Sequence, residues 1–181
     1  MADDLLTSLP TVNAVLAAHA AALGADAVGY RHHVYRVVHL CVALSSGPAL
    51  PLDQLEVAAV FHDLGIWTAG TFDYLEPSVA LAAAHLARHG RQAQIPAVTS
   101  MILEHHKVTA YRGPNAPLVE AFRRADWVDV TRGLLTFGLP RAGIDRIRRR
   151  WPDAGFHRRL LQLSAARLVR HPLSPLPMLR L

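Results

Sequence analysis

The apolar run Val57-Ala58-Ala59-Val60-Phe61 ends abruptly in His62-Asp63. A run of this kind belongs in a core, and it carries an imidazole and a carboxylate inward with it. Buried polar groups are costly without partners, and buried charges more so. The chain must therefore fold so that other polar side chains, or a cation, meet this pair. A divalent cation satisfies both members, because it binds neutral imidazole and ionised carboxylate.

The pattern around this run is helical throughout. Apolar residues recur at three- and four-residue spacing, and Ala and Leu are abundant. The spacing predicts helices over about Thr11 to Leu23, ending near Gly24, and Asp26 to Ser45, stopped by Gly47 and Pro48. Asp53 is placed to cap a third helix running to Leu64 and ended by Gly65. Ile66 to Leu75 is aromatic-rich and reads as a loop or lid. Further helices are expected over about Glu76 to His89, Pro96 to Lys107, Leu118 to Arg132, Pro140 to Arg150 and Phe156 to His171. Tyr111 to Pro117 reads as a loop, and the proline-rich tail from Pro172 to Leu181 as irregular. No segment alternates as a strand does. The expected fold is all-α: a single-domain helical bundle over residues 1–181, with basic helices at about 140–171.

Composition narrows the setting. At 181 residues and 51% hydrophobic, the chain is long enough to bury a core without staples. Its one cysteine, Cys41, lies in an apolar run and allows no internal disulfide. Met1-Ala2-Asp3-Asp4 lacks a secretory basic region, and no run approaches a membrane span. These features point to a cytoplasmic protein that meets no membrane. Of the net charge of +5, ten Arg against Asp145 and Asp153 lie from Arg141 onward. That bias reads first as a solvated face, so nucleic acid is not the expected partner, while a homo-oligomer is open.

Two other polar residues share the inward direction of His62-Asp63. His33 lies on a row with Val37, Leu40 and Leu44, and Asp126 on a row with Val119, Phe122 and Val130. Singly, a core His or Asp is more often hydrogen-bonded than metal-bound. Together, an ordered set drawn from separate helices points to a metal site.

The order His33, His62-Asp63, Asp126 resembles the signature of the HD superfamily of metal-dependent phosphohydrolases. The contexts His33-Val34-Tyr35-Arg36-Val37, Ala58-Ala59-Val60-Phe61-His62-Asp63-Leu64-Gly65 and Arg124-Ala125-Asp126-Trp127-Val128-Asp129 are similar to its motifs. The resemblance implies an HD-type bundle whose metal-binding core spans about 30–133, with a divalent metal on His33, His62, Asp63 and Asp126. Ligands without thiolate suit Mn, Fe, Co, Ni or Zn.

The paired His105-His106 resembles the double His of HD-GYP phosphodiesterases, although the long motif of that group is absent. The order with His85 included resembles HD-type di-iron oxygenases. A second metal is therefore open, with His85, His105, His106 and Glu76 as its candidate ligands. The leading reading is hydrolysis of a phosphate ester in a small, anionic substrate. Asp63 would orient the attacking water, and His105 or His106 would protonate the leaving group or hold an anion. Lys107, Arg112 and Arg36 are candidates to neutralise the phosphate. Trp67, Phe72 and Tyr74 would cover the site, and Glu104 and Asp129 would orient ligating imidazoles. Alternatives are a non-phosphate hydrolase resembling cyanamide hydratase, the di-iron oxygenase, and a non-enzymatic regulator.

Overall fold

The computed structural model describes residues 5–45, 50–174 and 177–179. Among them the protein is all-α, with no strand. Its helices are α1 (Pro10–Ala18), α2 (Ala20–Leu23), α3 (Ala27–Leu44), α4 (Leu52–Phe61), α5 (Gly65–Thr68), α6 (Leu75–Arg88), α7 (Ile95–Glu104), α8 (Ala116–Val130), α9 (Arg141–Arg150) and α10 (Phe156–Arg170). The expectations placed on residues 1–4, on Gly47 and Pro48, and on part of the tail lie outside the described residues. No single described helix is long and apolar enough to cross a membrane.

The centre of the bundle is α3, buried at every position from His33 to Cys41. A helix apolar on all sides has to be surrounded, and α1, α4, α8 and α9 pack around this one. Next to it, α7 is enclosed by α4, α6 and α8. Pro10, Pro96 and Pro117 each sit in the first turn of a helix, where the missing N–H breaks no hydrogen bond.

Three local details depart from the sequence expectation. The first helix breaks at His19 and restarts as α2. The His19 ring meets Phe61 edge-on, which seats this corner on α4. Second, Asp53 does not cap α4, whose N-cap is Pro51. The Asp53 carboxylate instead accepts from Arg91 Nη2 and Gln94 Nε2, both at 2.9 Å. The α4 acid that does cap a helix is Glu56, whose Oε2 accepts the Thr11 and Val12 N–H groups of α1 at 2.9 and 3.3 Å.

Third, Gly65 opens the short helix α5 rather than only ending α4. A Cβ at Gly65 would stand 2.5 Å from the Tyr74 carbonyl oxygen and 2.8 Å from Ser78 Oγ. The Gly65 N–H donates to that same Oγ at 3.0 Å. The missing side chain lets the start of α6 press against the turn that carries His62 and Asp63.

The C-terminal elements close over the same region. In α9, Ile144 and Ile147 turn inward and the arginines outward. Phe156, at the start of α10, stacks on His33 with ring centroids 4.1 Å apart. Met178 is buried with Ile66, Phe72, Tyr74 and Leu75. Part of the basic excess is paired within the chain, through Arg159 with Asp26 and Arg167 with Asp73.

Candidate metal centre

Two of the helices around this centre end at it, and two more contribute from within their length. His62 and Asp63 follow the last residue of α4, and His105 and His106 follow the last residue of α7. Helix C-termini carry partial negative charge and favour a cation. His33 comes from the middle of α3, and Asp126 from α8. His33, His62, Asp63, His105 and Asp126 are all buried, and His106 is partly so.

The imidazole tautomers follow from their hydrogen bonds. His33 Nδ1 donates to Asp129 Oδ2 at 2.7 Å, His62 Nδ1 to the Ala59 carbonyl at 2.7 Å, and His105 Nδ1 to the Ile102 carbonyl at 2.6 Å. Each neutral ring then presents a lone pair at Nε2. Yet His33 Nε2 and His62 Nε2 stand 2.9 Å apart. Asp63 Oδ2 is 3.7 Å from the first and 3.5 Å from the second. Asp126 Oδ1 is 3.5 and 3.7 Å from them.

Two lone pairs and two carboxylate oxygens at this range repel one another unless something positive lies between. Ligands about 2.1 Å from an ion are roughly 3.0 Å apart at right angles and roughly 3.6 Å apart at about 120°. Each observed separation suits two ligands of one ion, and His33, His62 and Asp126 form one group able to hold an ion, as do His62, Asp63 and His105. Asp63 Oδ1 and both oxygens of Asp126 are buried without a hydrogen-bond donor among the described residues, a condition that proteins rarely tolerate. The donor set therefore fits a divalent metal ion. Burial opposes charge on His62, but the Asp63 and Asp126 carboxylates outweigh it and raise its pKa to about 9. The centre attracts positive charge strongly.

The same carboxylates turn their other oxygens toward the second histidine pair. Asp63 Oδ1 is 3.4 Å from His105 Nε2, and Asp126 Oδ2 is 3.5 Å from His106 Nδ1. His105, His106 and Asp126 form a further group able to hold an ion. His85 and Glu76, the other expected second-metal ligands, are in none of the ion-holding groups found among the described residues. On α6 the buried row is Ser78, Ala82 and Leu86. His85 lies to one side of it, against Phe61 and His89, and Glu76 is exposed.

The expected phosphate-binding cations are also placed differently. Arg36 is buried and fully engaged: it donates through Nε and Nη2 to the two oxygens of Asp129, and through Nη1 to the Trp151 and Pro152 carbonyls. It acts on the centre indirectly, by fixing the carboxylate that orients His33. Burial alone would raise the Asp129 pKa, but the His33 hydrogen bond and the Arg36 guanidinium hold it well below the usual carboxylate range. Arg112 is exposed on the α7–α8 loop. Lys107 is half-buried, and its carbonyl accepts from Arg123 Nη1 and Trp127 Nε1. Neither lines the cavity beside the centre.

That cavity, of about 460 Å³, is lined by Asp63, His106 and Tyr74 on the side of the centre. Its other walls include Phe72, Trp127, Leu160, Leu161 and Met178. Trp67, expected as part of a cover, instead donates through Nε1 to Asp26. Tyr74 is more closely engaged than a cover: its hydroxyl is 2.9 Å from His106 Nε2. Burial and the nearby Asp63 carboxylate raise its pKa well above normal, so it remains a phenol. Burial, aided by His105, lowers the His106 pKa to about 3, so that ring is neutral. No sequence signal marked Tyr74 as a partner of His106.

A helical bundle that gathers buried His and Asp side chains around a cation-sized space defines a metal-binding helical domain. Residues 30–131 match the family model described as HD domain, which covers more than half of the chain, and the protein belongs to that family. The family is in general one of metal-dependent hydrolases. Comparison with curated proteins and with solved structures returned no match.

Proposed function

We propose that the protein is a metal-dependent hydrolase that cleaves a phosphate ester, with one ion held by His33, His62, Asp63 and Asp126. The observation that carries this reading is the 2.9 Å approach of two imidazole nitrogens whose opposite nitrogens are already used. When bound, a divalent transition ion lowers the pKa of water and polarises a phosphoryl oxygen.

The chain's own groups supply orientation and proton handling. Asp63 faces both the histidine cluster and the cavity, so its carboxylate is placed to orient water toward a bound ester. His106 and Tyr74 line the cavity as a hydrogen-bonded couple. They are placed to contact the leaving oxygen, with the phenol as the standing proton donor. Arg36 and Asp129 keep the His33 ring in one tautomer and orientation.

A second ion bound by His105 and His106 is supported by the orphaned outer oxygens of Asp63 and Asp126. With that occupancy His106 Nδ1 is a ligand and the Tyr74 oxygen accepts from Nε2. Metal analysis separates the two cases by stoichiometry. The reading as a whole is tested by a panel of phosphate esters assayed with Mn, Co or Ni added. Release of phosphate that is lost in His62→Ala supports it. No release from any ester by fully loaded protein contradicts it.

A further inference from the structure

We propose that the cavity beside the metal centre takes the phosphate monoester of an apolar alcohol, with Arg132 as the cation for its single anionic group. The inference rests on the phosphohydrolase reading above and names the substrate class for that site.

The first observation is the character of the walls. Phe72, Trp127, Val130, Leu160, Leu161 and Met178 face this space, and most of its surface is apolar. A cavity of about 460 Å³ has the size of small-molecule sites, whose mostly apolar walls are joined by a few placed polar groups. Most of the far wall comes from α10 and the segment at Met178, outside residues 30–131 that match the family. Substrate choice is thus built largely from a part of the chain outside the family match.

The second observation is Arg132, the only Arg or Lys among the described residues that line this space. It occupies the position just past the end of α8, with φ of 56°. The Arg132 N–H donates to the Asp129 carbonyl at 2.9 Å, and the Gly133 N–H to the Val128 carbonyl at 2.7 Å. This is a helix-ending motif whose left-handed position favours Gly or Asn. An arginine held in a disfavoured backbone conformation invites a functional explanation. Arg148 further pins it, donating through Nη1 to the Arg132 carbonyl at 2.9 Å. Arg132 is exposed, and among the described residues its guanidinium has no carboxylate or hydrogen-bond partner. One cation in an apolar chamber matches one phosphate on an apolar body. It does not match the several charges of a nucleoside triphosphate.

In the reaction, the oxygen of water bonds to phosphorus, the bond from phosphorus to the alcohol oxygen breaks, and a proton passes to that oxygen. The products are inorganic phosphate and the free alcohol.

The test is binding of non-hydrolysable probes to Mn-loaded protein by calorimetry, joined to hydrolysis of octyl phosphate and glycerol phosphate. Octylphosphonate is expected to bind at least about tenfold more tightly than methylphosphonate or ATP. Arg132→Asn, which suits the left-handed backbone, is expected to weaken octylphosphonate by about tenfold or more without lowering the melting temperature. Arg132→Lys should restore most of that loss. Leu161→Asp, at the exposed mouth of the cavity, should weaken octylphosphonate but not methylphosphonate. Equal or tighter binding of methylphosphonate or ATP, or wild-type affinity in Arg132→Asn, overturns the inference. Faster hydrolysis of glycerol phosphate than of octyl phosphate overturns it while leaving the phosphohydrolase reading intact. If no ester is cleaved but octylphosphonate binds in an Arg132-dependent way, the phosphohydrolase reading fails and the ligand class of the cavity stands.

Discussion

His33 Nε2 faces His62 Nε2 at 2.9 Å, while the Nδ1 of each ring is held by an acceptor. Without a cation, a proton shared between the rings is what relieves the contact. With a cation, both lone pairs and the adjacent carboxylates are satisfied together. The folded state therefore has a preformed preference for metal that the unfolded chain lacks.

Metal should stabilise the fold. At a free concentration near a hundred times Kd, a ligand specific to the native state adds about 2.7 kcal/mol. For a chain of this length that is a rise in Tm of roughly 5–10 °C. Thermal melts of chelator-dialysed protein, with and without Mn, Co, Ni or Zn, check this. A melting curve indifferent to every ion counts against the centre.

Asp129→Asn should weaken metal binding by about 10–100-fold without touching a ligand. It removes the charge that fixes His33 and leaves the Arg36 guanidinium buried with a neutral partner. A loss of stability of about 3 kcal/mol should accompany it. Competition with a chelating dye measures the first effect, and urea unfolding of the metal-free protein measures the second. Unchanged affinity would remove Asp129 and Arg36 from the account.

Gly65→Ala should destabilise by about 1–3 kcal/mol, through overpacking. The added carbon would meet the Tyr74 carbonyl and Ser78 Oγ, and backbone has little room to yield. Because Tyr74 hydrogen-bonds His106, the variant should also lower activity at temperatures where it remains folded. Urea unfolding beside a rate assay tests both effects.

Glu120 gives the fold one acid-sensitive tie. Burial opposes its charge, but Arg123, the Tyr111 N–H and Arg124 prevail and lower its pKa from 4.5 to about 2. A depressed carboxylate contributes fully above its unfolded pKa and loses that contribution as pH falls through the folded value. The stability gap between wild type and Glu120→Gln should therefore be widest above about pH 5 and close between about pH 4.5 and 2. Denaturant midpoints measured across that range test it. A gap that widens toward acid reverses the sign.

Periodicity was enough to place His33 and Asp126 inward, because each lies on a row of apolar neighbours along a single helix. The all-α class was legible for the same reason. What failed depended on contacts between distant segments. Arg36 follows His33 by one helical turn and looked available to substrate, but only the fold shows that Asp129 claims it. Glu56 caps α1 from another helix, which no local pattern reveals. His85 and Glu76 share a helix with an inward row but miss its direction by one or two positions. The expected helix over Leu118 to Arg132 ran through the position that the structure shows to be left-handed, at Arg132. The pairing of Tyr74 with His106 arises from the close approach at Gly65, and a glycine in sequence does not say what presses against it.

The most direct measurement is anomalous diffraction at the absorption edge of a bound transition metal. A peak is expected about 2.1 Å from His33 Nε2 and His62 Nε2, with one oxygen each of Asp63 and Asp126 also ligating. Density showing His33 and His62 joined by a direct hydrogen bond, with no anomalous peak after soaking in Mn, Co, Ni and Zn, would contradict it.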